Sequence, residues 1–149
     1  MIELKKIRVA ELEFDCRVVG KESNDLVILL HGFPESSFMW GKLMTHLAGQ
    51  GFYCVAPDLR GYSKDACPQG VKHYTIDQLS SDIINIATAL EFNKFHLIGH
   101  DWGAAIGWNI VYHNPDNILS WTAMSVPHNR AFGKALRTDP VQKKKSRYI

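Results

Sequence analysis

The stretch Gly99 to Gly103, with the sequence GHDWG, places an acidic residue between two glycines directly after the apolar run at residues 95–98. This spacing is typical of a nucleophile elbow, a sharp turn from a strand into a helix that strains the central residue and exposes its side chain. Asp101 is the central residue, at the position where such elbows usually carry serine. Because the N-terminus of a helix favours negative charge, the following helix would support Asp101 as a carboxylate nucleophile.

The type of nucleophile restricts the reactions that this turn could support. A carboxylate that attacked an ester or an amide would form an anhydride, which is energetically unfavourable. Attack on an sp3 carbon that carries a leaving group forms an ordinary ester instead. Asp101 therefore indicates alkylation chemistry. The electrophile would be an epoxide carbon or a carbon bearing halide, and water would then hydrolyse the aspartyl ester.

A second loop could supply hydrogen-bond donors to the same reaction. The apolar run at residues 27–30 is typical of a buried parallel strand, and it leads into the sequence HGFP at 31–34. The backbone N–H groups of Phe33 and Trp102 could then converge on one developing oxyanion. A GxDxG string also arises by chance, and aspartate is a common helix N-cap, but the two segments together favour the catalytic interpretation.

Four segments of the chain together resemble the α/β-hydrolase-fold epoxide hydrolases and their haloalkane dehalogenase relatives. They are HGFP at 31–34, APDLRGY at 56–62, GHDWG at 99–103 and SVPH at 125–128, and the resemblance runs from about residue 9 to the end of the chain. HGFP favours an epoxide hydrolase, since the dehalogenases more often carry a polar residue at the position of Phe33. Asp58 resembles a structural anchor for loop hydrogen bonds. The sequence GYS at 61–63 departs from the more usual Gly-x-Gly, which we interpret as loop variation.

The resemblance implies roles for individual residues. Asp101 resembles the nucleophile, and Phe33 and Trp102 resemble the two oxyanion donors. His31, Pro34 and Trp102 are expected to contribute to the substrate pocket. The Phe33–Pro34 peptide bond is expected to be cis.

The resemblance also predicts that part of the catalytic machinery lies outside these 149 residues. Hydrolases of this fold with their lids are about twice as long. We therefore expect residues 1–126 to form the N-terminal half of the core and residues 127–149 to begin a helical cap, with 146–149 resembling its first helix. The general-base histidine, its acidic partner and the cap tyrosines would lie beyond this segment.

None of the seven histidines is an obvious replacement for that base. His31 belongs to the donor loop, His100 faces away from the nucleophile within the elbow, and His96 begins a buried strand. His128 follows a strand end at the catalytic edge of the sheet, but this is not the position of the triad histidine. The sequence therefore predicts that the chain alone does not turn over an epoxide.

Strands and helices alternate along the chain, which predicts an α/β fold. Residues 2–9 and 12–19 indicate an opening antiparallel pair, and buried strands are expected at 27–30, 53–56, 95–98 and 118–124. Helices at 37–48, 76–90 and 104–113 suit right-handed crossovers, and Thr75 with Gln78 forms a plausible capping box. The expected architecture is an α/β-hydrolase fold with a doubly wound, mostly parallel sheet. Phe33 and Asp101 fall at strand C-terminal ends, where such sheets bind ligands.

The composition narrows the possible partners. With 46% hydrophobic residues, 21% charged residues and a formal net charge of +2, the chain gives no indication of a nucleic-acid partner. Lys143 to Lys145 are expected to form a solvated helix face. The three cysteines show neither a close pair nor metal-ligand spacing, so we expect reduced thiols, a cytoplasmic protein, no metal and no cofactor. No apolar run approaches the length of a membrane span.

Two classes of function remain open from the sequence. The first is an enzyme acting on a small apolar substrate, either an epoxide hydrolase or a haloalkane dehalogenase. The second is a non-catalytic remnant or binding module that keeps the elbow. If the C-terminal half of the core is absent, an uncovered sheet edge would favour self-association or a partner chain.

Overall fold

The computed structural model describes residues 1–147, except the side chain of Asn129. Tyr148 and Ile149, the last residues of the segment expected to begin the cap, lie outside the described residues. The strands are β1 (Glu3–Val9), β2 (Leu12–Val19), β3 (Leu26–Leu30), β4 (Tyr53–Pro57), β5 (Phe95–His100) and β6 (Ile118–Met124). The helices are α1 (Gly41–Gly49), α2 (Ile76–Ala89), α3 (Trp102–His113), α4 (Asn129–Thr138) and α5 (Pro140–Lys145).

The strands form one sheet in the order β1-β2-β4-β3-β5-β6. β1 pairs antiparallel with β2, and β2 pairs antiparallel with β4, whereas the pairs from β4 to β6 are parallel. The predicted fold class is confirmed, including the opening antiparallel pair. In the register of β3 and β5, Leu30 lies opposite Gly99. The loops that follow these two strands therefore leave the sheet side by side.

Both faces of the central strands are covered, which explains their uninterrupted apolar sequences. All five residues of β3 and all five of β4 are buried. On one face, Ile28 and Leu30 pack with residues of α2 and α3 such as Ile83 and Ile106. Neighbouring residues of β3 point the other way, toward α1 and the turn before it. This second cluster contains Val27, Leu29, Trp40, Met44, Cys54 and Ala56.

The helix boundaries differ from the predicted ones for local reasons. The helix expected over 37–48 is a 3-10 turn at Ser37–Trp40 followed by α1, and the side chain of Ser36 accepts a hydrogen bond from Phe38 N–H to cap that turn. Helix α2 begins as expected, with Thr75 Oγ1 accepting from Gln78 N–H at 3.4 Å. Helix α3 begins at Trp102 instead of residue 104, so it follows Asp101 directly.

Two helices, α4 and α5, follow β6, and the assignment of residues 127–149 to the start of a cap stays a prediction. The Asp139 carboxylate accepts from the N–H groups of Val141 and Gln142 and so caps α5. Lys143, Lys144 and Lys145 are exposed, which confirms the solvated helix face. Within residues 1–147, no helix combines the length and the hydropathy needed to cross a bilayer.

Candidate active site

Asp101 occupies the turn between β5 and α3 in an unusual backbone conformation. Its φ of 53° and ψ of −120° lie in a region that L-residues rarely adopt. The Asp101 N–H donates to Met124 O at 3.2 Å, and its carbonyl accepts from Ala104 N–H at 2.9 Å and from Ala105 N–H at 3.1 Å. These bonds to β6 and to the first turn of α3 stabilise the strained turn. The predicted elbow is therefore present in the structure.

The glycines of the elbow are required by close backbone contacts. A Cβ atom added at Gly103 would overlap the carbonyl oxygens of Leu30 and His31, and one added at Gly99 would overlap the carbonyl of Gly103. A Cβ atom at Gly32 would overlap the Asp101 side chain itself. Helix α3 thus begins directly against the end of β3, and the donor loop approaches the carboxylate at a distance that only glycine permits.

The donor loop contacts the carboxylate through its backbone. Phe33 N–H donates to Asp101 Oδ1 at 2.9 Å, and the Phe33–Pro34 peptide bond is cis, as expected. The N–H of Trp102 is the first amide of α3, and the first amides of a helix have no partner within the helix. Its role as the second oxyanion donor stays a prediction.

His31 fixes the donor loop from within the protein. Its side chain is fully buried, and its Nε2 accepts from Leu59 N–H at 3.0 Å. The proton must then be on Nδ1, which lies 3.0 Å from Gly32 O and donates to it. Burial lowers the pKa of His31. With both ring nitrogens engaged, His31 joins two loops and is not available as a base.

The loop after β4 forms the next wall of the site and is fixed at two points. Asp58 Oδ1 accepts from Ser37 N–H at 2.7 Å, which agrees with the anchoring role predicted for Asp58. Arg60 donates from Nε and Nη2 to the two carboxylate oxygens of Asp82 on α2, at 2.7 and 2.6 Å. The two side chains are 7% and 5% exposed, and the hydrogen bonds to Asp82 raise the pKa of Arg60. The guanidinium is therefore held in its charged form.

A mostly apolar cavity of about 220 Å³ opens between these loops. It is lined by His31, Gly32, Phe33, Leu59, Arg60, Tyr62, Tyr74, Leu79, Trp102 and Ile106. Phe33 is 69% exposed and Trp102 is 58% exposed, so both lie at the mouth. Of the predicted pocket residues, His31 and Trp102 line the cavity, whereas Pro34 is exposed and is not among the lining residues.

Asp101 lies at the edge of this cavity, since its side chain contacts the lining residue Gly32. Tyr62 also lines the cavity and packs edge-on against His31, with 4.5 Å between the ring centroids. Burial raises the pKa of Tyr62, and the Asp101 carboxylate raises it further. The phenol of Tyr62 is therefore held in its neutral form.

The other histidines do not line the cavity, and all seven lie in the described part of the chain. His96 Nδ1 lies 2.7 Å from Ser120 Oγ. His128 Nδ1 accepts from Arg130 N–H at 3.3 Å, and its ring packs edge-on against Trp108. The Nδ1 atom of His100 is buried and has no hydrogen-bond partner in the part of the chain that the structure describes.

Sequence reasoning did not assign several lining residues. Arg60 and Tyr62 belong to the APDLRGY segment that carried the resemblance, but no role in the pocket was assigned to them. Tyr74 is the residue before the N-cap of α2, Leu79 lies on α2 and Ile106 lies on α3. The apolar face of α2 was a usable signal, because Leu79 and Ile83 are one turn apart and lie on the side that meets the sheet.

Comparisons with known proteins identify the fold family. The family model described as alpha/beta hydrolase fold matches residues 25–145. AB hydrolase superfamily protein YfhM of Bacillus subtilis is 37% identical over 130 residues, which cover 87% of this chain and 46% of that protein. Epoxide hydrolase 4 of Homo sapiens is 34% identical over 143 residues, which cover 96% of this chain and 39% of that protein.

Solved structures show the same relationship. Epoxide hydrolase VrEH1 from Vigna radiata matches with a TM-score of 0.80 and 34% identity, over 85% of this chain and 40% of that one. A novel epoxide hydrolase from metagenomes of hot environments matches with a TM-score of 0.85 and 36% identity, over 99% of this chain and 50% of that one. The chain thus spans half or less of the length of these relatives. By its sequence, its sheet and its aspartate elbow, this chain belongs to the α/β-hydrolase-fold family and is similar to the epoxide hydrolases within it.

Proposed function

We propose that this chain supplies the nucleophile and part of the substrate pocket of an enzyme that opens epoxides through an alkyl-aspartyl ester. The observation that carries the proposal is the hydrogen bond of 2.9 Å from Phe33 N–H to Asp101 Oδ1, at the edge of an apolar cavity. Together, the carboxylate on a strained elbow and the donor in contact with it fit nucleophilic attack better than a helix N-cap. In agreement, the Asp101 side chain makes no capping hydrogen bond to α3.

The two carboxylate oxygens take different parts in the proposed reaction. Oδ1 is held by Phe33 N–H, so Oδ2 is the oxygen that attacks the epoxide carbon. A new C–O bond forms to Oδ2 while the ring C–O bond breaks, and the released alkoxide takes a proton from water. Oδ1 becomes the carbonyl oxygen of the ester. When water later attacks that ester, negative charge develops on the oxygen that Phe33 N–H already contacts.

The hydrolytic step needs a base that deprotonates water, a contribution typically worth about 10²–10⁴-fold in rate. His31 is the cavity-lining histidine of residues 1–147, and both of its ring nitrogens are engaged in hydrogen bonds. We therefore expect the ester to form on this polypeptide and to persist. If the ester persists, its detection on this polypeptide reports directly on the attack of Asp101, the first step of the proposed reaction.

The substrate class follows from the cavity and from the relatives. Aromatic and aliphatic side chains dominate the lining, and a volume of about 220 Å³ suits a small apolar molecule. The human and Vigna radiata relatives bear the name epoxide hydrolase, which favours an epoxide over a haloalkane as the electrophile. A haloalkane would form the same type of ester with loss of halide, so it is the comparison compound for the test.

Intact-mass measurement tests the proposal. The 149-residue polypeptide is incubated at neutral pH with styrene oxide or, separately, with 1-bromobutane, and is then digested for peptide mapping. We expect one styrene oxide adduct, on the peptide that contains residues 99–103, and slower or no labelling by the bromide. Asp101→Asn is the matched control, because it keeps the shape of the side chain and an acceptor for Phe33 N–H but removes the nucleophile.

The outcomes separate the two classes of function. An adduct that is lost in Asp101→Asn supports the proposed first step. No adduct in a folded protein assigns the chain to the non-catalytic class. Sustained multiple turnover by the polypeptide contradicts the expectation that it lacks a base, and it would direct the search to the remaining histidines, beginning with His128.

One observation favours a binding role as the second candidate. Among the described strands β6 pairs with β5 alone, and its sequence ILSWTAM carries no charge and no proline. Leu119 and Met124 on this outer strand are 48% and 37% exposed. Such an edge favours pairing with another strand. Light scattering would test self-association, which Leu119→Lys should weaken if β6 is the contact.

A further inference from the structure

A second groove lies beside the β1–β2 side of the sheet. It has a volume of about 670 Å³ and is lined by side chains from β2, from the 3-10 turn after the donor loop and from α1, together with Ile2. None of its lining residues lines the cavity beside Asp101. Whatever binds here would therefore be independent of the elbow and of the function proposed for it.

Two cations border this groove without a protein counter-ion. Arg17 and Lys42 both line it, and neither forms an ion pair with any carboxylate of residues 1–147. Among the described residues only Lys5, Lys6 and Arg60 are paired, so the lack of an ion pair is common on this protein, and what sets these two cations apart is their place in one groove. Arg17 Nε is also buried and has no hydrogen-bond acceptor among the described residues. The groove thus presents positive charge that the described part of the protein does not neutralise.

The position of Arg17 is fixed by an aromatic ring. Its Cζ atom lies 5.2 Å from the centroid of the Phe38 ring, within the range of a cation–π contact. Arg17 is partly buried, so its guanidinium is held in place and not free in solvent. A guanidinium stacked in this way keeps its N–H groups for an acceptor in its own plane, and carboxylates match that geometry.

The rest of the groove is apolar and unusually exposed. Phe38 is 74% exposed, although it is a large aromatic residue. Ile2 and Met39 line the groove beside it. Leu4, which lies opposite Arg17 in the β1–β2 register, is 75% exposed. Positive charge next to a strip of exposed apolar side chains is the complement of a molecule with an anionic head and a hydrocarbon tail.

We propose that this groove binds a free, single-chain carboxylate amphiphile such as a medium-chain fatty acid. The carboxylate lies between Arg17 and Lys42, and the alkyl chain covers Phe38, Ile2 and Met39. The volume of the groove falls within the range of small-molecule sites, about 300–1,000 Å³. A stable protein interface takes about 20–30 residues from each partner, many more than line this groove. No bond is made or broken, so the site is one of reversible binding.

Binding of decanoate below its micelle concentration tests the proposal, with 1-decanol as the neutral compound of the same chain length. Isothermal titration calorimetry on the full chain should show decanoate binding at least about tenfold more tightly than decanol, as expected for a carboxylate that gains two cations, of which Arg17 is partly buried and Lys42 is exposed. Arg17→Gln and Lys42→Gln should each lower the affinity for decanoate and leave the affinity for decanol unchanged. Lys94→Gln, an exposed lysine on another part of the surface, is the matched control and should have no effect.

Three results would overturn the proposal. Equal affinities for decanoate and decanol would show apolar binding without recognition of charge. Unchanged decanoate affinity in Lys42→Gln, an exposed substitution expected to fold, together with unchanged affinity in Arg17→Gln, would place the ligand elsewhere. Binding to vesicles of anionic phospholipid without binding to monomeric decanoate would assign the surface to a membrane instead of a free amphiphile.

Discussion

The elbow and the donor loop follow neighbouring parallel strands and meet at one carboxylate, yet they are held in different ways. The elbow depends on two glycines, because Gly99 and Gly103 allow backbone contacts that a Cβ atom would prevent. The donor loop depends on the buried side chain of His31, which accepts from Leu59 N–H and donates to Gly32 O. The elbow thus depends on steric fit as well as on its backbone hydrogen bonds to β6 and α3, whereas the donor loop depends on the hydrogen bonds of one buried side chain.

This difference predicts that the two loops respond to different perturbations. A steric defect in the elbow cannot be relieved without moving a strand or a helix, so it should affect the whole fold. A hydrogen bond lost from the donor loop can be replaced partly by water, and protonation of His31 also changes the hydrogen bonds of this loop. The loss of stability should therefore be smaller than for the elbow and should depend on pH. Substitutions at single positions can separate these two behaviours.

The largest effect is expected for Gly103→Ala, because the new Cβ atom would overlap the carbonyl oxygens at the end of β3. We expect a loss of about 3 kcal/mol or more in the free energy of unfolding, the upper range of overpacking defects. Urea titration measures it. Gly49→Ala is the control, since a Cβ atom at Gly49 in α1 meets nothing within 4 Å and alanine favours helix, so stability should be unchanged or higher. Equal effects at the two glycines would contradict steric control of the elbow.

The next effect is expected for His31→Leu, which keeps an apolar volume but removes both ring nitrogens. The buried Leu59 N–H would lose its acceptor, which costs about 1–3 kcal/mol. Urea titration should show this loss, whereas His46→Leu, at an exposed position of helix α1, should change stability by less than about 0.5 kcal/mol. A His31→Leu protein as stable as the parent would show that the loop does not depend on this histidine.

A third effect is the pH dependence that His31 confers. Burial lowers the pKa of His31 in the folded protein, whereas in the unfolded chain it titrates near its usual value of about 6.5. Below about pH 6.5 the unfolded chain therefore binds more protons, and stability falls with pH until the folded pKa is passed, with a slope of at most about 1.4 kcal/mol per pH unit. Between pH 6.5 and 5, the parent should lose more stability than His31→Leu does. Parallel curves for the two proteins would contradict this assignment.

The smallest effect concerns the backbone strain at Asp101. At a φ of 53° glycine is unstrained and alanine is not. Asp101→Gly and Asp101→Ala both remove the carboxylate that accepts from Phe33 N–H, so the difference in stability between the two variants isolates the effect of the backbone. We expect the glycine variant to be more stable by about 1 kcal/mol in the same urea titrations. An alanine variant of equal or greater stability would show that the elbow is relaxed at this position.

The elbow could be predicted from the sequence because its signal lies within one short segment. Glycines at positions 99 and 103 and an apolar strand before them are enough to predict the turn, and the structure has it. The parallel strands could be predicted equally well from the sequence, since β3 and β4 are short apolar runs buried on both faces. The expected strand at 118–124 coincides with β6, although its side chains are mostly exposed.

The walls of the site could not be predicted in the same way, because they depend on residues far apart in the chain. Nothing near Arg60 indicates that its guanidinium pairs with Asp82, and nothing near His31 indicates that Leu59 is its partner. Similarly, the resemblance named Pro34 as a pocket residue, whereas the cavity is bounded there by Gly32 and Phe33. These contacts follow from how loops pack after the sheet has formed.

The hydrogen bond from Asp101 N–H to Met124 O has a consequence for the order of events during synthesis. Asp101 is translated 23 residues before Met124, the last residue of the strand that helps to hold it. At about 5–20 residues per second, this interval lasts about one to five seconds. On the ribosome, the turn therefore reaches its final geometry only after β6 has emerged. Until then Asp101 is an ordinary aspartate in a growing chain, without the backbone geometry that the folded turn imposes on it.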